Sequence, residues 1–196
     1  MPKVDTKTFY KASLQKYAQT PKGVQWNSLF SQQTRFEALV HLLPDDLSLY
    51  TLVDAGCGFG DLYTFLQTRN KLPKKYIGID CLDFMCSIAS RNTQQTIIYE
   101  DILHPKQLPV ADFYICSGAL NTLSKFESYL FIQNCYQHAR VGVVFNALYG
   151  SKKSQTYNYF NTQDIENLQQ TLQVDTVQMY EGYIDNDITL GFFKKN

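Results

Sequence analysis

The stretch Val53-Asp54-Ala55-Gly56-Cys57-Gly58-Phe59-Gly60-Asp61 holds the residues best suited to chemistry. It places an acid at the end of an apolar run, then three alternating glycines, then a second acid where an amphipathic pattern begins. Glycine takes φ > 0 at low cost and lets the backbone come close to a ligand. Free N–H groups at the start of the following helix favour an anionic or acceptor-rich group. Asp54, Gly56, Cys57, Gly58, Gly60 and Asp61 are therefore candidate ligand contacts. About twenty residues on, Lys75-Tyr76-Ile77-Gly78-Ile79-Asp80-Cys81 is a second run ending in an acid, placed to accept hydrogen bonds from ribose hydroxyls. Glu100-Asp101-Ile102 follows a third run. There Asp101 is suited to an amino group on a purine, Ile102 to its face, and Leu82 and Met85 to its other side. A Gly-x-Gly-x-Gly turn alone is also simply a tight turn, and Asp101 alone is also a capping type. The glycine turn followed by an acid-ended run favours a nucleoside-containing cofactor.

Two later runs end in polar residues. Asp112-Phe113-Tyr114-Ile115-Cys116 leads into Ser117-Gly118-Ala119-Leu120-Asn121, which should lie beside a transferred group, and Phe145-Asn146 points an amide the same way. The three histidines look structural or exposed rather than catalytic: His41 and His138 fall on expected helices and His104 precedes Pro105. The five cysteines, Cys57, Cys81, Cys86, Cys116 and Cys135, include no Cys-x-x-Cys pair and no metal-like spacing with the histidines. They read as free thiols used as small apolar residues, so no metal is expected. Only Cys116, at a strand end, is placed for consideration as a nucleophile, which would need an electropositive, partly exposed site.

The elements that must position these residues alternate regularly. Strands are expected at 50–54, 75–80, 96–100, 111–117, 141–147, 174–180 and 187–194, and helices near 61–70, 82–91, 124–138 and 162–171. Such alternation implies βαβ units, a parallel sheet and helices on both faces, with ligands at the carboxyl ends of the strands. The connection 181–186 is too short for a parallel crossover, so the last two strands pair antiparallel. The result is a Rossmann-like α/β sheet of seven strands, mostly parallel. Residues 5–43 look helical: a first helix carries Phe9, Leu14 and Tyr17, and a second begins after Trp26-Asn27-Ser28 and ends before Pro44. The second should turn Leu29, Phe30, Phe36, Leu39, Val40 and Leu43 toward a core. Residues 1–46 then form a helical cap on a core of 47–196, within one domain. Tyr10, Tyr17 and Trp26 are candidates to cover the site as a lid, while Gln32 and Arg35 face the cofactor.

At 196 residues, one sizeable core is the default. Lysine plus arginine and aspartate plus glutamate balance at 18 each, which gives no global electrostatic case for nucleic acid. No apolar run approaches the length of a membrane span, and no signal segment is visible; a soluble cytoplasmic protein is expected.

These residues resemble the class I S-adenosylmethionine-dependent methyltransferases, from Leu49 to Lys195, on the signature Val53 to Gly60. The resemblance implies that the glycine loop cradles the methionine part of S-adenosylmethionine, that Asp80 holds the ribose, and that Asp101-Ile102 contacts adenine. The chain also resembles an uncharacterised bacterial subgroup, on Trp26, Ser28, Gln32, Arg35 and Phe36, on Ser117, Gly118 and Asn121, on Phe145-Asn146, and on Tyr183, Asn186 and Asp187. Glu181-Gly182 stands where that subgroup has His-Asp, which removes a general-base histidine from the turn. The expected cofactor contacts are thus Arg35, Asp54, Gly56, Cys57, Gly58, Gly60, Asp61, Asp80, Cys81, Asp101, Ile102, Ser117 and Gly118. Tyr10, Tyr17, Trp26 and Asn121 are expected at the acceptor, with Tyr183, Asn146 and Asp187 as orienting or weakly basic groups. An aromatic-rich cap favours a small acceptor. Two alternatives stay open: a non-catalytic protein that binds the same cofactor, and a nicotinamide-dependent oxidoreductase. The latter is disfavoured by Asp54, by Asp61 in place of a third dinucleotide glycine, and by the antiparallel end.

Overall fold

The computed structural model describes residues 28–195. Tyr10, Tyr17, Trp26 and the first expected helix lie outside the described residues. Helix α1 (Leu29–His41) starts at Ser28, whose hydroxyl accepts the Ser31 amide at 3.1 Å while the Ser31 hydroxyl accepts the Ser28 amide. It closes at Leu42, two residues before Pro44. Gln32, Arg35, Phe36, Ala38 and Leu39 form its buried face. Leu29 and Phe30, expected in the core, are instead exposed in the first turn. The buried face of the helix begins only at Gln32, so an apolar period running through the helix does not by itself bury its first turn.

The alternating part follows as β1 (Thr51–Ala55), α2 (Asp61–Thr68), β2 (Lys75–Asp80), α3 (Asp83–Thr93), β3 (Thr96–Tyr99), β4 (Ala111–Cys116), α4 (Lys125–His138), β5 (Ala139–Tyr149), the two-residue β6 (Tyr159–Phe160), α5 (Thr162–Leu172), β7 (Thr176–Glu181) and β8 (Asp187–Phe193). A single 3-10 turn, Ala119–Thr122, links β4 to α4. The sheet order is β3-β2-β1-β4-β5-β8-β7, with β6 added beside the end of β5. β1 to β5 run parallel, and β8 is antiparallel to both β5 and β7. The last strand of the chain is thus not an edge but is inserted between its two neighbours. β6 was not expected: two residues carry no periodicity.

Alternation along the strands separates two cores. Leu52, Phe113, Ile115 and Val144 face α1 and α2 together with Phe36, Leu39, Leu62 and Leu66. Val53, Tyr114, Cys116, Val143 and Phe145 face α4 and α5 with Phe131, Ile132, Ile165 and Leu168. Each buried aliphatic or aromatic side chain contributes about 1.5–3 kcal/mol. The order reverses between β1 and β4, so the carboxyl ends of these two strands frame a crevice. Among the described residues no helix is long and apolar enough to cross a membrane.

Candidate cofactor and acceptor site

A cavity of about 730 Å³ opens at the carboxyl ends of β1 to β4. Its floor is the turn from Ala55 to Asp61. Gly56, Gly58 and Gly60 all have positive φ, at 80°, 55° and 82°. At Gly56 a Cβ would also stand 2.8 Å from the Ala119 Cβ, so the backbone passes too close to the β4 turn for any side chain. The Gly56 and Cys57 amides both donate to the Ile79 carbonyl, at 2.8 and 3.0 Å, which pins the turn to β2. Gly60 itself does not line the cavity; it caps α2 where a Cβ would meet Thr93 at 2.4 Å.

Three carboxylates surround this floor. Asp54 is 3% exposed and accepts the Tyr76 hydroxyl at 2.5 Å. Burial pushes its carboxyl up to about 7; the Tyr76 bond opposes this, and the charges of Asp80 and Asp61 add to it. Asp80 ends β2 and accepts the Gly58 and Leu82 amides, each at 3.0 Å. Burial pushes it up to about 6 against the pull of those amides and of Cys81. Asp61 opens α2 and accepts Gln32 Nε2 at 2.8 Å; its burial outweighs that bond, so its carboxyl is raised too. Among the described residues no lysine or arginine forms an ion pair with any of the three. The cavity therefore concentrates negative charge that its own walls do not balance.

The other end of the cavity is apolar with polar edges. Leu82 and Met85 from the start of α3 face Ile102, and Asp101 stands beside them. Asp101 Oδ1 accepts the Leu103 amide at 2.9 Å, so this residue both shapes its turn and lines the cavity. Cys57, Cys81, Ser117 and Gly118 also line it. So do residues that sequence reading did not select: Phe59, Glu100, Thr122, Leu123, Glu127 and Phe131. Phe131 and Glu127 lie on α4, and helical periodicity marks a buried side without saying which part of it meets a cavity. His104 is exposed at the same wall, and Tyr99 stands at the rim.

Arg35, Asn121, Asn146, Tyr183 and Asp187 lie outside the cavity lining. Arg35 is engaged by Asp187 at the start of β8: Nε donates to Oδ1 at 2.8 Å and Nη2 to Oδ2. Burial raises the Asp187 carboxyl while Arg35 pulls it back. Asn121 Oδ1 is buried without a hydrogen-bond partner among the described residues. Asn146 and Tyr183 do come together, joined by Thr189, in a polar cluster directly behind Ser117, whereas Asp187 is bonded to Arg35 and reaches Tyr183 only through its charge. Thr189 escaped notice because a threonine in an apolar strand is an ordinary β-former. Cys116 is fully enclosed, and burial with the Asp54 charge pushes its thiol up to about 12, which removes it as a nucleophile.

No protein-family model and no curated protein matches the sequence. Solved structures do match the fold. The magnesium protoporphyrin IX methyltransferase of Synechocystis PCC 6803, determined with S-adenosylmethionine, superposes with a TM-score of 0.66 at 18% identity over 85% of this chain and 81% of its own. The N-methyltransferase NodS of Bradyrhizobium japonicum WM9, determined with S-adenosylhomocysteine, gives 0.66 at 14% identity over 98% of this chain and 100% of its own. A Leishmania major S-adenosylmethionine-dependent methyltransferase gives 0.68 at 14% identity, over 95% and 83%. This chain has the class I methyltransferase fold. In that fold the cavity described above lies at the topological switch of the sheet, where open α/β sheets take their ligands.

Proposed function

We propose that the protein binds S-adenosylmethionine and transfers its methyl group to a small-molecule acceptor. The observation that carries this reading is the glycine turn ringed by Asp54, Asp61 and Asp80, all raised by burial in one cavity. A ligand with a sulfonium and an ammonium supplies the positive charge these carboxyls lack, so the residues present fit the cofactor. Asp80, held flat by two amides, keeps lone pairs for the ribose hydroxyls. Ile102, Leu82 and Met85 suit the adenine faces, and Asp101 its amino group. When bound, S-adenosylmethionine supplies a methyl carbon that an acceptor lone pair attacks while the C–S bond breaks, the electron pair staying on sulfur and the acceptor's proton leaving to solvent.

The chain's own task is then to align the partners and exclude water. Asp54, through Tyr76, fixes the floor; Gly56 and Gly58 let the backbone approach; Ser117 marks the wall nearest the polar cluster. Tyr10, Tyr17 and Trp26 precede α1 and are proposed to complete the acceptor pocket, with Asn121 at its β4 side. Neither Tyr183 nor Asp187 reads as a general base, since the Tyr183 phenol is pushed up to about 12 and stays protonated, and Asp187 is tied to Arg35. Balanced charge and five free cysteines accord with a cytoplasmic enzyme acting on a small molecule rather than on nucleic acid.

Calorimetric titration with S-adenosylmethionine and S-adenosylhomocysteine tests this directly, on wild type and Asp80→Ala. Micromolar binding that weakens at least about a hundredfold in the variant is expected, from two or more lost charge-assisted hydrogen bonds. Absence of binding to folded wild type removes the reading. Binding without methyl release to any of a broad acceptor panel leaves a non-catalytic cofactor-binding protein.

A further inference from the structure

Ser117, Asn146, Thr189 and Tyr183 form a chain of hydrogen bonds with a fixed direction. Asn146 on β5 and Thr189 on β8 are directly opposed across the antiparallel pair, and both are buried. Asn146 Nδ2 donates to Thr189 Oγ1 at 2.6 Å and toward the Arg35 carbonyl at 3.4 Å. A carbonyl only accepts, so the amide nitrogen, not the oxygen, belongs on this side. The amide oxygen then faces Ser117, whose hydroxyl donates to it at 2.7 Å. Thr189, its oxygen already engaged, gives its single proton to Tyr183 Oη at 2.8 Å. The same phenolic oxygen lies 3.4 Å from Asn146 Nδ2. Tyr183 thus receives hydrogen bonds from the protein, and its own proton is left for something else. Its ring is held by stacking on Tyr180 (5.6 Å, 13°), which in turn rests on His41 at 4.4 Å. Desolvation keeps the phenol protonated throughout the neutral range, and the charges facing it, Asp187 and Arg35, oppose one another.

From this geometry, whose Ser117 end lines the cavity, we propose that Tyr183 is the donor that orients the methyl acceptor, and that the acceptor molecule meets it with an oxygen lone pair: a carboxylate, carbonyl or phenolate rather than an ammonium. Asn146 and Thr189 are positioning residues that set the direction of the donor. The proposal rests on the methyl-transfer reading and narrows its substrate class. The opposite direction, with Tyr183 accepting from the substrate and donating to Thr189, would leave the single Thr189 proton buried with no acceptor among the described residues.

The test uses the full-length protein labelled with 13Cζ-tyrosine and saturated with S-adenosylhomocysteine, titrated with acetate or methylammonium at equal ionic strength. These probes are small enough to enter whatever the acceptor's shape. The Tyr183 resonance is assigned by its loss in Tyr183→Phe. Acetate is expected to shift it saturably and methylammonium to leave it in place. Thr189→Val should weaken the acetate response about fivefold, the value of one hydrogen bond, and Thr189→Ser should restore it. A response to methylammonium instead, no response to either probe, or an undiminished response in Thr189→Val overturns the proposal. Failure to bind S-adenosylhomocysteine at all would instead remove the methyl-transfer reading beneath it.

Discussion

Cofactor affinity should fall steeply as the pH drops through the range in which Asp54 and Asp80 take up protons. Holding the Asp54 carboxyl at about 7 rather than 3.8 means that ionising it in the fold alone costs on the order of 4 kcal/mol. A cationic ligand recovers much of that cost, but only by binding the ionised form. One proton must then be lost on binding below pH 7, and a second below about 6 as Asp80 joins. The dissociation constant should rise about tenfold per pH unit below 7 and more steeply below 6, on the order of a hundredfold between pH 7.5 and 5.5. Titration calorimetry with S-adenosylmethionine, in buffers of different ionisation enthalpy, reads both the affinity and the proton count. Asp54→Asn should bind weakly and lose the upper step while keeping the lower one. Without ligand the sign reverses. Both folded pKa values are raised, so this stabilisation is complete below about 3.8 and is lost as the pH rises through about 6 to 7. The melting temperature of wild type relative to Asp54→Asn should therefore fall from pH 5 to pH 8. Flat affinity across that range, with no proton exchanged, would refute the account of an unbalanced carboxylate ring.

Other consequences follow from individual contacts. Gly56→Ala and Gly182→Ala share a φ near 80°, but only Gly56 faces a clash; Gly182→Ala should cost about 1–2 kcal/mol in thermal melts, Gly56→Ala clearly more, with loss of cofactor binding. Arg35→Met leaves Asp187 buried without its counter-ion and should destabilise by about 3–5 kcal/mol, recovered in part by adding Asp187→Leu. Tyr76→Phe removes the donor that holds Asp54 down, so the upper step of the affinity profile should move to higher pH. Among the cysteines only Cys81 is exposed, and its thiol is pushed up to about 12; iodoacetamide at pH 8 should modify it slowly, before the others, and S-adenosylmethionine should protect it.

The order of elements was legible because each strand ends in punctuation: Asp54 before glycines, Asp80 before Cys81, Ser117 before Gly118. The carboxylates of the cavity were readable for the same reason, since an acid closing an apolar run has few purely structural uses. What escaped was whatever depends on the third dimension. Arg35 interrupts an apolar helix face and so invites a ligand role, yet its partner Asp187 lies 152 residues away and nothing local announces it. Leu29 and Phe30 carry the right period but stand exposed in the first turn, which the period alone does not announce. Thr189 earns its place only by standing opposite Asn146 across a pairing that inserts the last strand inward.

That insertion also sets a schedule for synthesis. The chain emerges from the ribosome with β5 complete long before β8, and β7 arrives with no neighbour to pair with until β8 slides between them. Throughout that interval one edge of β5, with Val143, Val144 and Phe145, is an open template for other chains. The pairing that closes it is among the most distant in sequence, and such contacts form slowly. A nascent chain arrested before residue 187 should therefore hold a formed glycine turn beside an unfinished acceptor side, and be prone to stick to its own kind.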